Sequence, residues 1–143
     1  MKAIFKEITA LLDEIPVLKW VDEDKGQLNF ERPPVLFPCA LVEIQINKTE
    51  DLNRNIQNCD AIILVRLAWN FNGETSTKTP ELARDKSLQY YDDVEAVRQK
   101  LHGYESDHFN ALSRKQFYPE KRPDAIKVVA MPFAFSFRET TDN

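Results

Sequence analysis

Residues 56–71, IQNCDAIILVRLAWNF, alternate in the way typical of a long β-strand. At a period of two, one face carries Cys59, Ala61, Ile63, Val65, Leu67, Trp69 and Phe71. The other face carries Asp60, Ile62, Leu64, Arg66, Ala68 and Asn70. A strand from Asn55 to Phe71 spans about 55 Å at about 3.3 Å per residue, whereas strands usually have about five or six residues. The pattern therefore predicts a strand that outruns its domain.

A second extended segment precedes it in residues 35–46, VLFPCALVEIQI. Its apolar positions change parity, from Val35, Phe37, Cys39 and Leu41 to Val42, Ile44 and Ile46. This change indicates either a β-bulge near Leu41 or burial of both faces, because each extra residue turns every later side chain over. Pro38 is expected at an edge or at the irregularity. Residues 47–58 are polar and turn-rich, so the two strands are predicted to form a long antiparallel hairpin.

Two helices are predicted from apolar residues at helical spacing. The first carries Ile4, Phe5, Ile8, Leu11, Leu12 and Ile15, and Pro16 ends it. The second begins with Thr79 as N-cap, Pro80 at the first position and Glu81 in the first turn. It ends at Gly103 and is the longer helix, about 34 Å at about 1.5 Å per residue. Its apolar stripe is Leu88, Tyr91, Val94, Val97 and Leu101.

Shorter elements fill the rest of the chain. Residues 17–31 predict a hairpin with its turn at residues 22–26, since Gly26 can adopt a positive φ. Residues 111–118 carry a weak strand signal. The final strand alternates clearly, with one face formed by Val129, Met131, Phe133, Phe135 and Phe137.

The order of these elements predicts one α+β domain over residues 1–143. Its mainly antiparallel sheet is expected to have about four to six strands with a long hairpin, packed against two principal helices. The core between sheet and helices is predicted to contain Ile63, Val65, Leu67, Leu88, Tyr91, Val94, Phe133 and Phe135.

Composition narrows the function classes. The chain has 19 Lys and Arg against 23 Asp and Glu, a formal charge of −4, and both signs are spread along it. Direct nucleic-acid binding is therefore disfavoured. No stretch reaches the roughly 20 apolar residues of a membrane helix, and Glu7 and Asp13 interrupt any signal-peptide core. A cytoplasmic protein with no membrane association is expected, with Cys39 and Cys59 reduced in the core rather than joined in a disulfide.

The richest group of acids and histidines lies in residues 90–108. It contains Asp92, Asp93, Glu95, His102, Asp107 and His108. A metal or acid–base site is conceivable there, but Asp85, Asp92 and Gln99 lie opposite the apolar stripe, as expected for the wet face of a helix. The spacing also matches no established metal motif. No catalytic, cofactor or metal-binding residue is therefore predicted.

Other reactive groups carry no better signature. Ser113 and Ser136 lack a nucleophile elbow, and the cysteines lie on buried strand faces. The three glycines are too scattered for a phosphate loop. Trp20 and Trp69 are interpreted as packing residues, because no basic groove accompanies them. Acids dilute the basic group of Arg114, Lys115, Lys121 and Arg122, which is interpreted as a solvated strand end or an interface edge.

The order and character of these elements resemble the tail terminator, or tail-completion, proteins of the bacteriophage neck. The similarity rests on the N-terminal helix, WVDEDKGQL, FPCALVEIQI, CDAIILVRLAWNF, LQYYDDVEAVRQKLHGY, FNALSR and FAFSF. It covers nearly the whole chain. The resemblance implies a structural subunit of a phage or prophage that forms a ring, commonly a hexamer, at the end of the tail tube. It implies the tail tube and the head connector as partners, and a location in the host cytoplasm during assembly and then in the virion.

Together with the length of the strand and its polar end, this resemblance implies that residues 47–58 and the loop at residues 72–79, at opposite ends of the long strand, contact other subunits or tail components. The expected contact residues are Lys48, Glu50, Asp51, Asn53, Arg54, Asn55, Glu74 and Lys78. Two other function classes stay open. One is a small acidic adaptor or immunity-type protein that binds a single protein partner as a monomer. The other is a metal-dependent hydrolase built on residues 92–108.

Overall fold

The computed structural model describes residues 1–141 and contains a single six-stranded sheet, with the two longest helices packed on one face. The elements in chain order are α1 (Lys2–Asp13), β1 (Trp20–Glu23), a 3₁₀ helix (Gln27–Asn29), β2 (Cys39–Asn53), β3 (Ile56–Asn70), α2 (Glu81–Ser87), α3 (Tyr90–Leu101), β4 (Ser113–Arg114), β5 (Tyr118–Glu120) and β6 (Ile126–Thr140). The predicted α+β class, with a mainly antiparallel sheet, is confirmed.

The sheet is built around β3. Its strand order is β1-β2-β3-β6-β4, and β5 pairs with another part of β6. Only the β1–β2 pair is parallel. β6 pairs antiparallel with β3 along its full length, and β2 pairs antiparallel with β3 from Ile56 to Ala68, so these three 15-residue strands carry most of the ladder.

The long hairpin is confirmed, but its connection is much shorter than predicted. Residues 47–53 and 56–58 belong to β2 and β3, and only Arg54 and Asn55 form the turn. Polar sequence hid these strand ends, because a ladder is made of backbone hydrogen bonds and does not need apolar side chains on an exposed edge.

The two faces of the sheet bury different clusters. The face toward α1 and α3 holds the main core, which includes Cys59, Ala61, Ile63, Val65, Leu67, Trp69, Val129, Met131, Phe133, Phe135 and Phe137. The alternation predicted for β3 and β6 is thus confirmed. A smaller cluster on the opposite face contains Leu28, Cys39, Leu41, Ala68 and Val128.

This second cluster explains the parity change in β2. Cys39, Ala40, Leu41 and Val42 are all fully buried, and the register to β3 runs unbroken from Cys39 to Ile46. Burial of both faces is therefore correct, and a bulge near Leu41 is not. The first irregularity lies between Ile46 and Lys48.

The predicted hairpin in residues 17–31 is wrong. β1 pairs in parallel with the start of β2 and has no return strand of its own. Gly26 does adopt a positive φ of 81°, but it leads into the 3₁₀ helix. The buried side chain of Gln27 accepts a hydrogen bond from the Lys25 N–H at 2.7 Å and donates to the Glu23 carbonyl at 2.9 Å, which folds this turn back on itself.

The second predicted helix is two helices, which changes its buried face. The chain leaves helical pairing at Leu88 and Gln89, between α2 and α3. This break shifts the helical phase, so Tyr90 packs against the core and Tyr91 is 53% exposed, contrary to the prediction. Val94, Val97 and Leu101 are buried as predicted, whereas Leu88 is only half-buried. Pro80, rather than Thr79, precedes the first helical residue.

Candidate interaction surface

The distal part of β2 is exposed along its whole length. Every residue from 45 to 53 is exposed, whereas buried core-facing residues continue along β3 as far as Cys59 and along β6 as far as Phe137. We call residues 45–53 the open edge. It contains the predicted contact residues Lys48, Glu50, Asp51 and Asn53, and Arg54 and Asn55 form the adjoining turn.

The open edge has no neighbouring strand on its outer side. β1 covers only Cys39–Val42, and its last contact is the Asp24 N–H donating to the Val42 carbonyl at 2.9 Å. No later residue of β2 pairs outward with any residue in 1–141. An unpaired edge offers backbone donors and acceptors to another extended chain.

The opposite edge of the same three strands is closed. β5 and β4 pair with β6 as far as Ala134. At the next outward position, Asn110 takes the place of a strand residue. Its backbone N–H donates to the Ser136 carbonyl at 3.1 Å, and its Oδ1 accepts from the Ser136 N–H at 2.6 Å. Strand addition along most of this sheet is therefore possible at β2 and blocked at β6.

A shift in register sets which side chains point where along the open edge. Ile46 lies opposite Ala61, and its side chain points to the core face of the sheet. Lys48 lies opposite Asp60, and its side chain points to the other face, which we call the outer face. Asn47 is the extra residue between them. In an unshifted ladder Asn47 would lie opposite Asp60 and Lys48 would lie opposite Cys59, with its side chain toward the core face. The shift therefore keeps a charged side chain in solvent.

The charged side chains on the outer face at the open edge are available to bind a partner. None of the ion pairs within residues 1–141 includes Lys48, Glu50 or Asp60. By contrast, Arg66 on the same face of β3 pairs with Asp24 at 2.7 Å and Glu120 at 2.8 Å. Burial lowers the pKa of Arg66, but the hydrogen bonds and charges of both carboxylates outweigh this effect and raise it. This guanidinium therefore links β3 to Asp24, after β1, and to Glu120 in β5.

The second predicted contact region lies at the other end of β3. Glu74 and Lys78 are exposed in the loop that leads into α2, and α2 has no buried residue. The loop is held by the Arg84 Nε–H, which donates to the Thr75 carbonyl at 3.0 Å. It also packs tightly at Gly73, where a Cβ would lie 2.3 Å from the Ser87 hydroxyl. The two predicted regions therefore stand at opposite ends of a 15-residue strand.

The acids of residues 90–108 make separate contacts. The exposed Glu95 pairs with Arg98, whose hydrogen bonds lower the pKa of Glu95 to about 2. Asp93 accepts a hydrogen bond from Trp69 Nε1 at 2.9 Å, and burial raises its pKa. Asp92 is exposed.

The two histidines also have different partners. His102 Nδ1 accepts from the Arg114 N–H at 3.1 Å, whereas His108 Nδ1 lies 3.2 Å from Glu7. No set of three or more His, Cys, Asp or Glu side chains within residues 1–141 is arranged to hold a metal ion.

Within residues 1–141, Glu7 is the carboxylate with the most different side-chain partners, and no sequence pattern pointed to this cluster. It accepts hydrogen bonds from Tyr104 at 2.8 Å and Ser106 at 3.0 Å, besides its contact with His108. Burial opposes ionisation, but these hydrogen bonds outweigh it and lower the pKa of Glu7. The cluster fixes the loop after α3 onto α1, and Asn110 in that loop closes the β6 edge.

The cysteines, the tryptophans and Arg122 differ in burial and contacts. Cys39 and Cys59 are buried and free, and burial raises the pKa of both thiols, that of Cys39 to about 12. Trp69 is buried in the core, whereas Trp20 is 37% exposed on β1. Arg122 donates to the Leu28 carbonyl at 2.7 Å. No helix within residues 1–141 has the length and apolarity needed to cross a bilayer.

No protein-family model matches the chain, and no curated protein matches it either. Among solved structures, it is similar to a chain from the virion of a native gene transfer agent particle, with 12% identity and a TM-score of 0.42 over 94% of this chain and 84% of the other. That TM-score is below the level that establishes a common fold, so this similarity carries no conclusion about function.

Proposed function

We propose that the chain is a structural protein of a phage or prophage, a neck or tail-completion subunit without enzymatic activity. In this role it assembles as a ring, commonly a hexamer, at the end of the tail tube and joins the tube to the head connector. The order of its elements, which resembles that of such subunits, supports the proposal. The observation that carries it is the open edge, a nine-residue strand that is exposed throughout and unpaired on its outer side.

A ring requires two different surfaces on each subunit, because each copy contacts one neighbour on either side. The open edge and the loop at residues 72–79 meet this requirement, since they lie at opposite ends of β3, about 50 Å apart at about 3.3 Å per residue. The open edge is also polar, with Lys48, Glu50 and Asp51 exposed. Polar side chains on an unpaired edge keep a subunit from aggregating before the ring closes.

Shortening the hairpin tests this role. Glu50 and Asn58 are ladder partners, so replacing residues 51–57 by an Asn-Gly turn removes the tip and leaves the ladder before it in register. The removed part of β2 is exposed, so the urea midpoint is expected to stay close to that of the parent. Negative-stain images, alone and with tail tubes of the encoding phage, are expected to show loss of rings and of capped tubes.

A length-matched control separates strand length from side-chain identity. Replacing Asp51, Asn53 and Gln57 by Ser keeps both strands and the backbone edge, and this variant is expected to assemble. If the shortened protein assembles as well as the parent, the tip is a tolerated surface loop and the ring contact lies elsewhere.

The same preparations decide between the proposal and its alternatives. A protein that stays monomeric in every condition and captures one protein partner is an adaptor or immunity-type protein. A specific divalent-metal affinity in the micromolar range, lost when Asp92 and Asp93 are both changed to Asn, would refute the absence of an enzymatic or metal site.

A further inference from the structure

The centre of the open edge reads Asn47-Lys48-Thr49-Glu50-Asp51. In the register to β3, Lys48 lies opposite Asp60 and Glu50 lies opposite Asn58, so both side chains point to the outer face of the sheet. Thr49 lies between them on the core side, opposite Cys59. A basic and an acidic residue thus flank Thr49 at equal distances on one face, and both are exposed.

The backbone groups of Thr49 point away from the protein. The Val42 carbonyl points outward, because it accepts from Asp24. Directions alternate along a strand, so Leu41, Glu43 and Gln45 bond inward to β3. Gln45 is the partner of Ile62, and Lys48 is the partner of Asp60, two residues along β3. Lys48 and Glu50 therefore also bond inward, and Thr49 and Asp51 present their N–H and C=O groups outward.

We propose that two copies of the free chain pair their open edges antiparallel about a twofold axis at Thr49. Thr49 of one copy then exchanges both backbone hydrogen bonds with Thr49 of the second copy. In the same register, Lys48 of each copy lies opposite Glu50 of the other, and Asn47 lies opposite Asp51. Because of the twofold symmetry, the Lys48–Glu50 contact forms twice and gives two opposite-charge pairs.

Charge complementarity identifies the second copy as the occupant of this edge. Opposite charges and Thr–Thr pairs are both favourable across antiparallel strands, whereas like charges directly opposite are unfavourable. A shift of the twofold axis by one residue along β2, to Lys48 or Glu50, would place two like charges opposite each other on the axis. The sequence therefore favours one register. The pairing goes beyond the proposed function, since it concerns the free chain, and a ring that uses this edge forms only after the dimer separates.

Charge reversal tests the register. In sedimentation velocity over a wide concentration range, the parent is expected to show a reversible monomer–dimer equilibrium. Glu50→Lys puts lysines opposite each other in both symmetric pairs and is expected to weaken the dimer at least about tenfold. Glu139→Lys makes the same charge change at an exposed position on β6, and it is expected to leave association unchanged.

The double swap Lys48→Glu with Glu50→Lys restores opposite charges and is expected to recover dimerisation. Its urea midpoint is measured beside its association, because the swap brings a carboxylate opposite Asp60 within the ladder. A swap that folds but stays as weak as Glu50→Lys would contradict the pairing.

Cysteine crosslinking gives an independent test of the axis. It uses a Cys59→Ala background, because Thr49 lies opposite Cys59 within the hairpin. Only a residue on the twofold axis meets its own copy, so Thr49→Cys is expected to crosslink to itself. Asn47→Cys and Asp51→Cys are expected to crosslink when mixed but not alone. A monomeric parent at all concentrations, or self-crosslinking at Asn47→Cys instead of Thr49→Cys, overturns the proposal.

Discussion

Replacing Leu67 by Ala measures how strongly the register of β3 is fixed by its core face. Leu67 is fully buried on the central strand, with Ala40 of β2 and Val129 of β6 as its ladder neighbours. The change removes three carbon groups, which at about 0.8 kcal/mol each amounts to about 2.4 kcal/mol of lost transfer free energy. The surrounding strands are held by full-length ladders and cannot collapse onto the space, so a cavity cost adds to this. The expected loss of unfolding free energy is about 3–5 kcal/mol.

Ile62→Ala is the matched control on the same strand. Ile62 has the same number of carbons as Leu67 but points to the outer face, where it is only half-buried opposite Gln45. Folding removes less apolar area from water at this position, and solvent fills the space when the side chain is truncated. The expected loss is about 1 kcal/mol.

Urea unfolding followed by tryptophan fluorescence provides the comparison, since Trp69 lies on the same strand in the core. The ratio of the two losses is the informative quantity, because a slip of β3 by one residue would exchange the two faces. Equal losses for the two variants would refute the assigned register.

Three further predictions concern the polar contacts, each checked by urea midpoints. Arg66→Met leaves Asp24, whose side chain is 12% exposed, without its cation, and is expected to cost about 1–3 kcal/mol. The pKa of Glu7 is lowered in the folded protein, so ionised Glu7 contributes to stability above its ordinary pKa, and this contribution is lost as pH falls through the folded pKa. Glu7→Gln is therefore expected to destabilise the protein near neutral pH, and the difference from the parent is expected to shrink in acid. Burial raises the pKa of Asp93, so ionisation of Asp93 lowers the stability of the protein as pH rises through the folded pKa. Asp93→Asn keeps an acceptor for the Trp69 N–H. It is expected to be at least as stable as the parent near neutral pH and to have no advantage in acid.

The adjacent acids Asp92 and Asp93 are both expected from the sequence to be exposed, and they show how far a helical pattern predicts the surroundings of single side chains. Asp92 is exposed as predicted, but Asp93 is half-buried against Trp69, because the break after α2 rotates α3 relative to a continuous helix. The contact residues predicted in the hairpin do lie on exposed positions of β2 and its turn. Their role in contacting other subunits stays a prediction.

The amino-acid sequence by itself determined the long hairpin, α1 and the two faces of β3 and β6. Side-chain direction along a strand or helix follows from local backbone geometry, so a period of two or of 3.6 can be recognised without knowing what the element packs against. The apolar face from Cys59 to Trp69 is the clearest case, since all six of its alternate residues are buried in one cluster.

Only the tertiary structure decided which edge of the sheet stays open. The parallel pairing of β1 with β2, the register shift after Ile46 and the closure of β6 by Asn110 all depend on partners distant in the sequence or on the other strand. Glu7 shows the same dependence, because Tyr104, about 100 residues away, completes its hydrogen-bond cluster. Apart from proline, which lacks the N–H, every residue has the same backbone donor and acceptor, so their partners are assigned by the three-dimensional path of the chain and not by side-chain pattern.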